Sequence, residues 1–299
     1  MMLNKFIVLT GPTAVGKTDF SLFLAERIGG EIISADSMQV YKKLDIGTDK
    51  VCVQIRKRIP HHLIDILDPR ENFSSVDFVK LADEALKKIR KRGKIPIVVG
   101  GTSFYLKFFL YGIPKTPPAS PELRKELLKR NTQELFELLK KIDPEYAKKI
   151  SPSDKKRIVR GIEIYELTGK PVSSFKIPEK PRYEFLGYFL FRNRDEIYKR
   201  IDDRIMRQLK LGVLGEAEWL MEYAPNSTAS QAIGYKEYFN YLRGLESLET
   251  AVKRLKRRTR ELAKRQFTWF RKEPNFKWVN LSEVSYKTLL DTIAKELGI

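Results

Sequence analysis

The sequence has little of what staples, ligates or anchors a protein. Of its 299 residues only Cys52 is a cysteine, so no intramolecular disulfide can form and a cysteine-based zinc site is excluded. Histidine occurs twice, as the adjacent His61 and His62. Without a third, a His-rich metal site is disfavoured, and structural histidines beside Leu63 and Ile64 are the better reading. Long apolar runs are also missing. Phe6 to Leu9 and Phe108 to Tyr111 fall far short of the roughly 20 residues that span a bilayer. The N-terminus leads from one lysine and a short apolar run straight into a glycine-rich loop, without the h-region and cleavage site of a secretory signal. A soluble, cytoplasmic protein that does not engage a membrane is expected, and a monomer, since no apolar assembly stripe is evident.

Acidic residues are scarce relative to basic ones: 38 Asp plus Glu against 57 Lys plus Arg, a formal charge of +19. With 42% hydrophobic residues the chain can bury a substantial core, as one large domain or two ordinary ones, so it is no disordered basic tail. The imbalance points to a polyanionic partner, nucleic acid before an acidic membrane. A Lys/Glu-rich thermophile surface would explain the number of charges but not their sign.

Residues 5–10 read as a buried strand, followed by GPTAVGKT and a helix carrying Phe20, Phe23, Leu24 and Ile28 that stops at Gly29 and Gly30. EIISA is a second strand ending at Asp36. A helix from about Val76 to Arg92 precedes the strand IPIVV and then Gly100 and Gly101. Apolar strands alternating with helices imply a parallel sheet with helices on its faces. GIPKTPPASP, residues 112–121, breaks the pattern with four prolines, and a second punctuated stretch runs from Thr168 to Arg182. Between them the sequence reads as helical, with Ser153 placed to cap the last helix. This marks a helical insertion between two Pro-rich hinges, residues 116–182, within a core made of 1–115 and 183–299. EFLGYFLF returns to the sheet and the remainder reads as helices and loops.

Gly11, Pro12, Thr13, Ala14, Val15, Gly16, Lys17 and Thr18 match G-x-x-x-x-G-K-[ST] in full, after a strand and before a helix. At average composition the fixed positions occur by chance in roughly one chain in a hundred of this length, so the match is specific. Backbone N–H groups and the helix N-terminus surround phosphate oxygens, Lys17 neutralises them, and the Thr18 hydroxyl can hold Mg²⁺. The motif specifies a diphosphate or triphosphate, not a nucleotide. Asp36 lies on the ligand-binding edge of the sheet, where a Walker-B-like metal partner, a general base and a helix cap are all open. Thr102 lies at the same edge, as a helix N-cap or a donor to substrate. Asp202 and Asp203 sit on a helix whose Ile197, Ile201 and Ile205 face the core, and read as a solvated face with salt bridges. Residues 251–272 carry ten Lys or Arg against one Glu, interleaved with Phe267, Trp269 and Phe270. Binding of structured RNA is the functional reading, since no recognition-helix motif for duplex DNA is visible.

GPTAVGKT, DSMQVYKKLDIGT from Asp36, HHLID from His61, VGGTSFY from Val99, QAIGYKE from Gln231 and TRELAKRQFTWFR from Thr259 together resemble the tRNA dimethylallyltransferases. The match runs from about residue 5 to 272 in the family's order. It implies an α/β fold, a P-loop NTPase-like parallel sheet flanked by helices, with a helical insertion that grips the tRNA anticodon stem-loop. The implied reaction moves a dimethylallyl group from dimethylallyl diphosphate, held with Mg²⁺ by the P-loop, to N6 of the adenosine 3′ of the anticodon in tRNAs reading codons that begin with U. Asp36 becomes the base, Thr102 a partner near the reaction centre, and Lys17 the neutraliser of the leaving group. The resemblance also places at the tRNA Asp36, Ser37, Met38, Gln39 and Thr102; Arg124, Lys156, Arg157 and Arg160; Gln231, Gly234, Tyr235 and Lys236; and Lys264, Arg265, Gln266, Trp269 and Arg271. A free-nucleotide adenylate isopentenyltransferase and a P-loop kinase or RNA-dependent ATPase are the rivals. The basic insertion and C-terminal segment argue against the first.

Overall fold

The computed structural model describes residues 5–225 and 227–299. Six strands form one sheet: β1 Phe6–Thr10, β2 Gly30–Ser34, β3 His61–His62, β4 Ile95–Val99, β5 Phe185–Phe191 and β6 Phe276–Asn280. Their order is β3-β2-β4-β1-β5-β6 and every pairing is parallel, with Leu9 opposite Val99 on one side and Tyr188 on the other. Every residue of β1, β2 and β4 is buried, which is why these strands read as continuous apolar runs rather than as alternation.

The helices in chain order are α1 Lys17–Ile28, α2 Val53–Arg58, α3 Ser75–Lys91, α4 Ser103–Tyr111, α5 Pro121–Lys129, α6 Thr132–Ile142, α7 Pro144–Ala147, α8 Lys155–Thr168, α9 Arg194–Lys210, α10 Val213–Tyr223, α11 Phe239–Leu242, α12 Leu248–Phe270 and α13 Tyr286–Leu297. Local chemistry sets several boundaries. Ser74 and Asp77 form a reciprocal capping box at the start of α3, and Gly29, with φ +64°, ends α1. Ile197, Ile201 and Ile205 line the buried face of α9, each contributing about 1.5–3 kcal/mol by burial. Among the described residues no helix is long and apolar enough to cross a membrane.

Two compact units divide the chain. One reaches to Leu110 and resumes at Arg182; it contains the sheet. The other, Tyr111–Pro181, has a small core of its own built on Leu127, Leu135, Leu139, Ile158 and Ile162. Beside that core, the carboxylate of Glu163 is fully buried and receives Arg124 at 2.9 and 3.0 Å, Arg160 at 2.6 Å and the Ser120 N–H at 2.8 Å. Burial would raise its pKa, but these hydrogen bonds outweigh that and hold it below the usual carboxylate value.

Two local readings change. The cap of α8 is Asp154, whose carboxylate accepts from the Arg157 N–H at 3.1 Å. Ser153 lies one residue too early and pairs with Ser151 instead. The segment after Phe270 is not only helix and loop, because β6 adds an edge strand along β5. Its sequence FKWVN exposes Lys277 and Trp278, so it lacks the apolar continuity of the inner strands. His61 and His62 form a two-residue strand, His62 bonding Glu31 at 2.8 Å and His61 the Ile59 carbonyl at 2.6 Å, as structural histidines do. Asp202 is paired with Arg260 at 2.8 Å and Lys256 at 3.2 Å.

Glu163→Gln should destabilise the Tyr111–Pro181 unit by about 2 kcal/mol, less than a fully buried pair because both arginines are partly exposed. Since the folded-state pKa is depressed, the difference should be complete above the ordinary carboxylate range and vanish as pH falls through the folded value. Urea denaturation of both proteins across pH checks it; a pH-independent difference would remove the charge from the explanation.

Candidate active site

The carboxyl-terminal edge of the sheet gathers four segments from distant parts of the chain. After β1 the loop Gly11–Gly16 turns into α1 with Gly11 at φ +148°, Ala14 at +65° and Gly16 at +104°. A Cβ on Gly11 would lie 2.1 Å from the Leu190 carbonyl of β5, so only glycine lets the loop pass there. Among the described residues, the N–H groups of Ala14, Gly16, Lys17 and Thr18 make no hydrogen bond, nor does the Thr18 hydroxyl. These donors meet at the start of α1, where the helix dipole favours an anion.

Lys17 folds back onto its own loop, donating to Gly11 O at 3.0 Å and Pro12 O at 2.8 Å. Burial lowers its pKa to about 8, nearby Asp36 opposes that, and Arg204 adds to it. Arg204, on α9, is itself desolvated in the fields of Asp49, Asp36 and the neighbouring Arg207 and Arg200; its pKa is lowered, and its Nε is buried without a partner. Nothing in the motif analysis singled it out. The available signal was its place one turn beyond Arg200 on the face shared with Ile197 and Ile201, where a cation has no structural use.

Asp36 follows β2. Its Oδ1 accepts from the Met38 N–H at 2.8 Å and the Gln39 N–H at 3.4 Å and so closes a turn over residues 37–40; the next helix is α2 at Val53, so Asp36 caps a turn and not a helix. Among the described residues its Oδ2 makes no hydrogen bond, which leaves it open to a metal or a proton. Thr102 sits at the N-cap position of α4, its carbonyl accepting from Leu106, yet its hydroxyl does not cap that helix. It accepts instead from the Ser37 N–H at 3.1 Å and lies 3.5 Å from Ser37 Oγ. The loops after β2 and β4 can approach this closely because Gly100 carries no side chain; a Cβ there would lie 2.1 Å from Ala35 O.

Gln266 of α12 joins the other two loops. Its Oε1 accepts from the Thr13 N–H at 2.8 Å and its Nε2 donates to Gly101 O at 2.9 Å. Its amide is thereby occupied, as is that of Gln39, which bonds Ser34 and the Thr48 carbonyl. Tyr235 is fully buried, its ring against Gly47 and its hydroxyl donating to Glu216 at 2.8 Å. Its side chain is not available to an RNA, which corrects that expectation. Gly234 beside it adopts φ +109° and donates to Glu237, and Gln231 and Lys236 retain exposure. Glu216 also accepts the N–H groups of Asp45, Ile46 and Gly47, so the DIGT and GYKE stretches meet through one carboxylate.

Lys264, Arg265 and Arg271 project from α12 and its end, while Trp269 packs near Phe104, itself half exposed. Arg271 lines, with Phe191, Phe267 and Trp278, an open recess of about 430 Å³. In the other unit Lys156 and Arg157 are exposed, whereas Arg124 and Arg160 are committed to Glu163. Among the described residues no cluster of three or more His, Cys, Asp or Glu side chains could hold a metal by itself. Mg²⁺ does not need one: it keeps much of its water and takes one or two protein oxygens plus phosphate oxygens, a demand that the unbonded Thr18 hydroxyl and Asp36 Oδ2 fit.

A parallel sheet with a glycine loop, a desolvated lysine and a carboxylate with one unbonded oxygen at one edge defines an α/β protein of the P-loop type. The IPP transferase profile matches residues 39–273, and a second, described as isopentenyl transferase, matches residues 4–57. The tRNA dimethylallyltransferase of Protochlamydia amoebophila is 44% identical, covering 98% of this chain and 89% of its own, and that of Aquifex aeolicus is 42% identical over 97% of each. Among solved structures, the tRNA isopentenylpyrophosphate transferase of Bacillus halodurans superposes with a TM-score of 0.75 at 38% identity, covering 99% of this chain and 97% of its own. A eukaryotic dimethylallyltransferase caught acting on tRNA reaches 0.81 at 34% identity, over 97% and 78%. The chain belongs to the IPP transferase family.

Binding of inorganic diphosphate should weaken as pH rises through about 8, because only the charged Lys17 amine favours an anion and the free protein loses that charge there. Lys17→Met should bind about tenfold or more weakly at neutral pH and lack that limb. Calorimetric titration from pH 6.5 to 9.5 reads both; an unchanged affinity would place the anion elsewhere.

Proposed function

We propose that this protein transfers a dimethylallyl group from dimethylallyl diphosphate to N6 of the adenosine immediately 3′ of the anticodon, in tRNAs that read codons beginning with U. The observation that carries this is the meeting, at one sheet edge, of a phosphate loop with free N–H groups and an aspartate with a free oxygen. The tRNA dimethylallyltransferases that match along nearly the whole chain support the choice of donor and acceptor.

The exocyclic amine attacks C1 of the dimethylallyl group. The C1–O bond breaks, its electron pair leaves with diphosphate, and the surplus proton on N6 passes to Asp36 Oδ2. An adenine amine is a poor nucleophile because its lone pair is delocalised, so a carboxylate that takes the proton as the bond forms helps by about 10² to 10⁴. Charge develops on the leaving oxygens, where Lys17, Arg204 and the amides of Ala14, Gly16, Lys17 and Thr18 stand ready; this electrostatic preorganisation is the larger contribution. Mg²⁺, held through Thr18, would neutralise the same oxygens. Thr102, tied to Ser37 next to Asp36, positions the adenine. The target base leaves its stack to reach the donor.

Exposed Lys264, Arg265 and Arg271, with Lys156 and Arg157 of the helical unit, would meet the phosphates of the anticodon stem-loop. The protein acts as a monomer in the cytoplasm, the latter reading supported by the tRNA substrate of the relatives it resembles.

Nucleoside mass spectrometry of unmodified tRNA, incubated with the protein, Mg²⁺ and dimethylallyl diphosphate, should show a prenyl-sized gain on that adenosine. A gain on AMP alone, or consumption of ATP without one, would overturn the assignment. Asp36→Ala should keep tRNA affinity and lose about 10² to 10⁴ in turnover; turnover at the wild-type rate would remove Asp36 from proton transfer.

A further inference from the structure

A phosphate loop that aims its N–H groups at a ligand turns the carbonyls of the same peptides the other way, and those carbonyls need donors behind the loop. Three consecutive ones have them, all from residues about 180 or more positions away. Arg200 Nε donates to Ala14 O at 2.7 Å, Arg192 Nε to Val15 O at 2.9 Å, and the Tyr286 hydroxyl at 3.4 Å to Gly16 O, which also accepts the Phe20 N–H of α1 at 3.1 Å. A Cβ on Gly16 would lie 2.9 Å from that hydroxyl, 3.6 Å from Arg200 Nη2 and 3.9 Å from Arg192 Nη2, so the three groups converge behind one peptide.

Each is itself held. Arg192 is mostly buried and its Nη1 bonds Glu196 at 2.7 Å and the Leu281 carbonyl, in the turn between β6 and α13, at 2.9 Å. Tyr286 opens α13 and stands edge-on to Phe20 of α1, with ring centroids 5.2 Å apart. Arg200 has Asp19 3.9 Å away.

We propose that Arg192, Arg200 and Tyr286 form a clamp that sets the orientation and donor strength of the loop amides, which makes β6 and α13 part of the donor site. The inference rests on the loop being the diphosphate site proposed above. None of the three needs to touch the ligand; they are positioning residues. Two physical effects give them that role. Ala14 holds a left-handed conformation, which a residue with a side chain keeps only while the surroundings over-determine it. A donor on a peptide oxygen also polarises the N–H of the same peptide. The Val15 carbonyl shares its peptide with the Gly16 N–H, and the Gly16 carbonyl with the Lys17 N–H, two of the unbonded donors. The Ala14 carbonyl shares its peptide with the Val15 N–H, which closes the loop turn onto Pro12 O at 3.4 Å.

The test titrates inorganic diphosphate with Mg²⁺ into the full chain by calorimetry and measures steady-state kinetics on tRNA. Arg192→Met should weaken diphosphate binding about tenfold and raise the donor KM by a similar factor while leaving the tRNA KM unchanged. Arg192→Lys, which can still donate one hydrogen bond, should recover part of the loss. Tyr286→Phe keeps the packing against Phe20 and should weaken binding about two- to threefold. Arg194→Met is the control: its guanidinium, on the helix that carries Arg200, lies over the Tyr198 ring and does not reach the loop, so affinity should stay at the wild-type value. Wild-type diphosphate affinity in Arg192→Met and Tyr286→Phe would overturn the clamp, as would an equal loss in Arg194→Met, which would make the effect one of net charge. A wild-type protein that binds diphosphate but prenylates no tRNA would overturn the reaction assigned above and leave the clamp to be judged on these affinities.

Discussion

Close approach of backbone to backbone at the carboxyl-terminal edge of the sheet is the constraint on which the rest of this structure depends. Gly11 lies against the Leu190 carbonyl and Gly100 against Ala35, each with room for a hydrogen and not for a methyl group. Because these loops nearly touch, Asp36, Thr102 and the phosphate loop occupy one small region instead of the ends of separate strands. Gln266 can then bridge the Thr13 N–H and the Gly101 carbonyl with a single amide. The sheet's inner strands are apolar for the same reason that its edge is polar: the strands are closed in from both faces, and only their ends reach water.

The electrostatics of the edge are deliberately incomplete. Lys17 and Arg204 are desolvated, which costs free energy, and among the groups that act on them only carboxylates such as Asp36 oppose the cost. In the other unit the opposite solution appears: Glu163 is buried with two arginines and a backbone N–H, so that its charge is answered in full. The contrast separates a site that lacks an anion from a structural ion cluster that needs none. Arg124 and Arg160 are anchored by the Glu163 carboxylate, while Lys156 and Arg157 remain exposed.

Much of this was legible in the sequence, for reasons that can be named. Strands buried on both sides leave unbroken apolar runs, so β1, β2, β4 and β5 stand out, and GPTAVGKT announces its geometry because glycine and lysine are required at fixed offsets. β6 was not legible, since an edge strand bearing Lys277 and an exposed Trp278 has the composition of a loop. Arg204 and Glu216 escaped for a different reason. Each gains its meaning from partners far away in sequence, Asp36 and Asp49 for one, the Asp45–Gly47 N–H groups and Tyr235 for the other. Tyr235 shows the converse error: a motif position marks what matters to the fold as readily as what touches a substrate, and only burial tells them apart.

The carbonyl partners of the phosphate loop have a consequence for how the protein comes into being. The loop leaves the ribosome well before the groups that hold it: its neighbour strand β5, the arginines of α9, Gln266 and Tyr286 emerge about 170 or more residues later. Chains are made at roughly 5 to 20 residues per second, so for many seconds a nascent chain carries the complete glycine motif in a conformation that nothing yet enforces. Full affinity for an anion is therefore reached only once α13 has been made, and a chain that stops short of it is the weaker competitor for substrate.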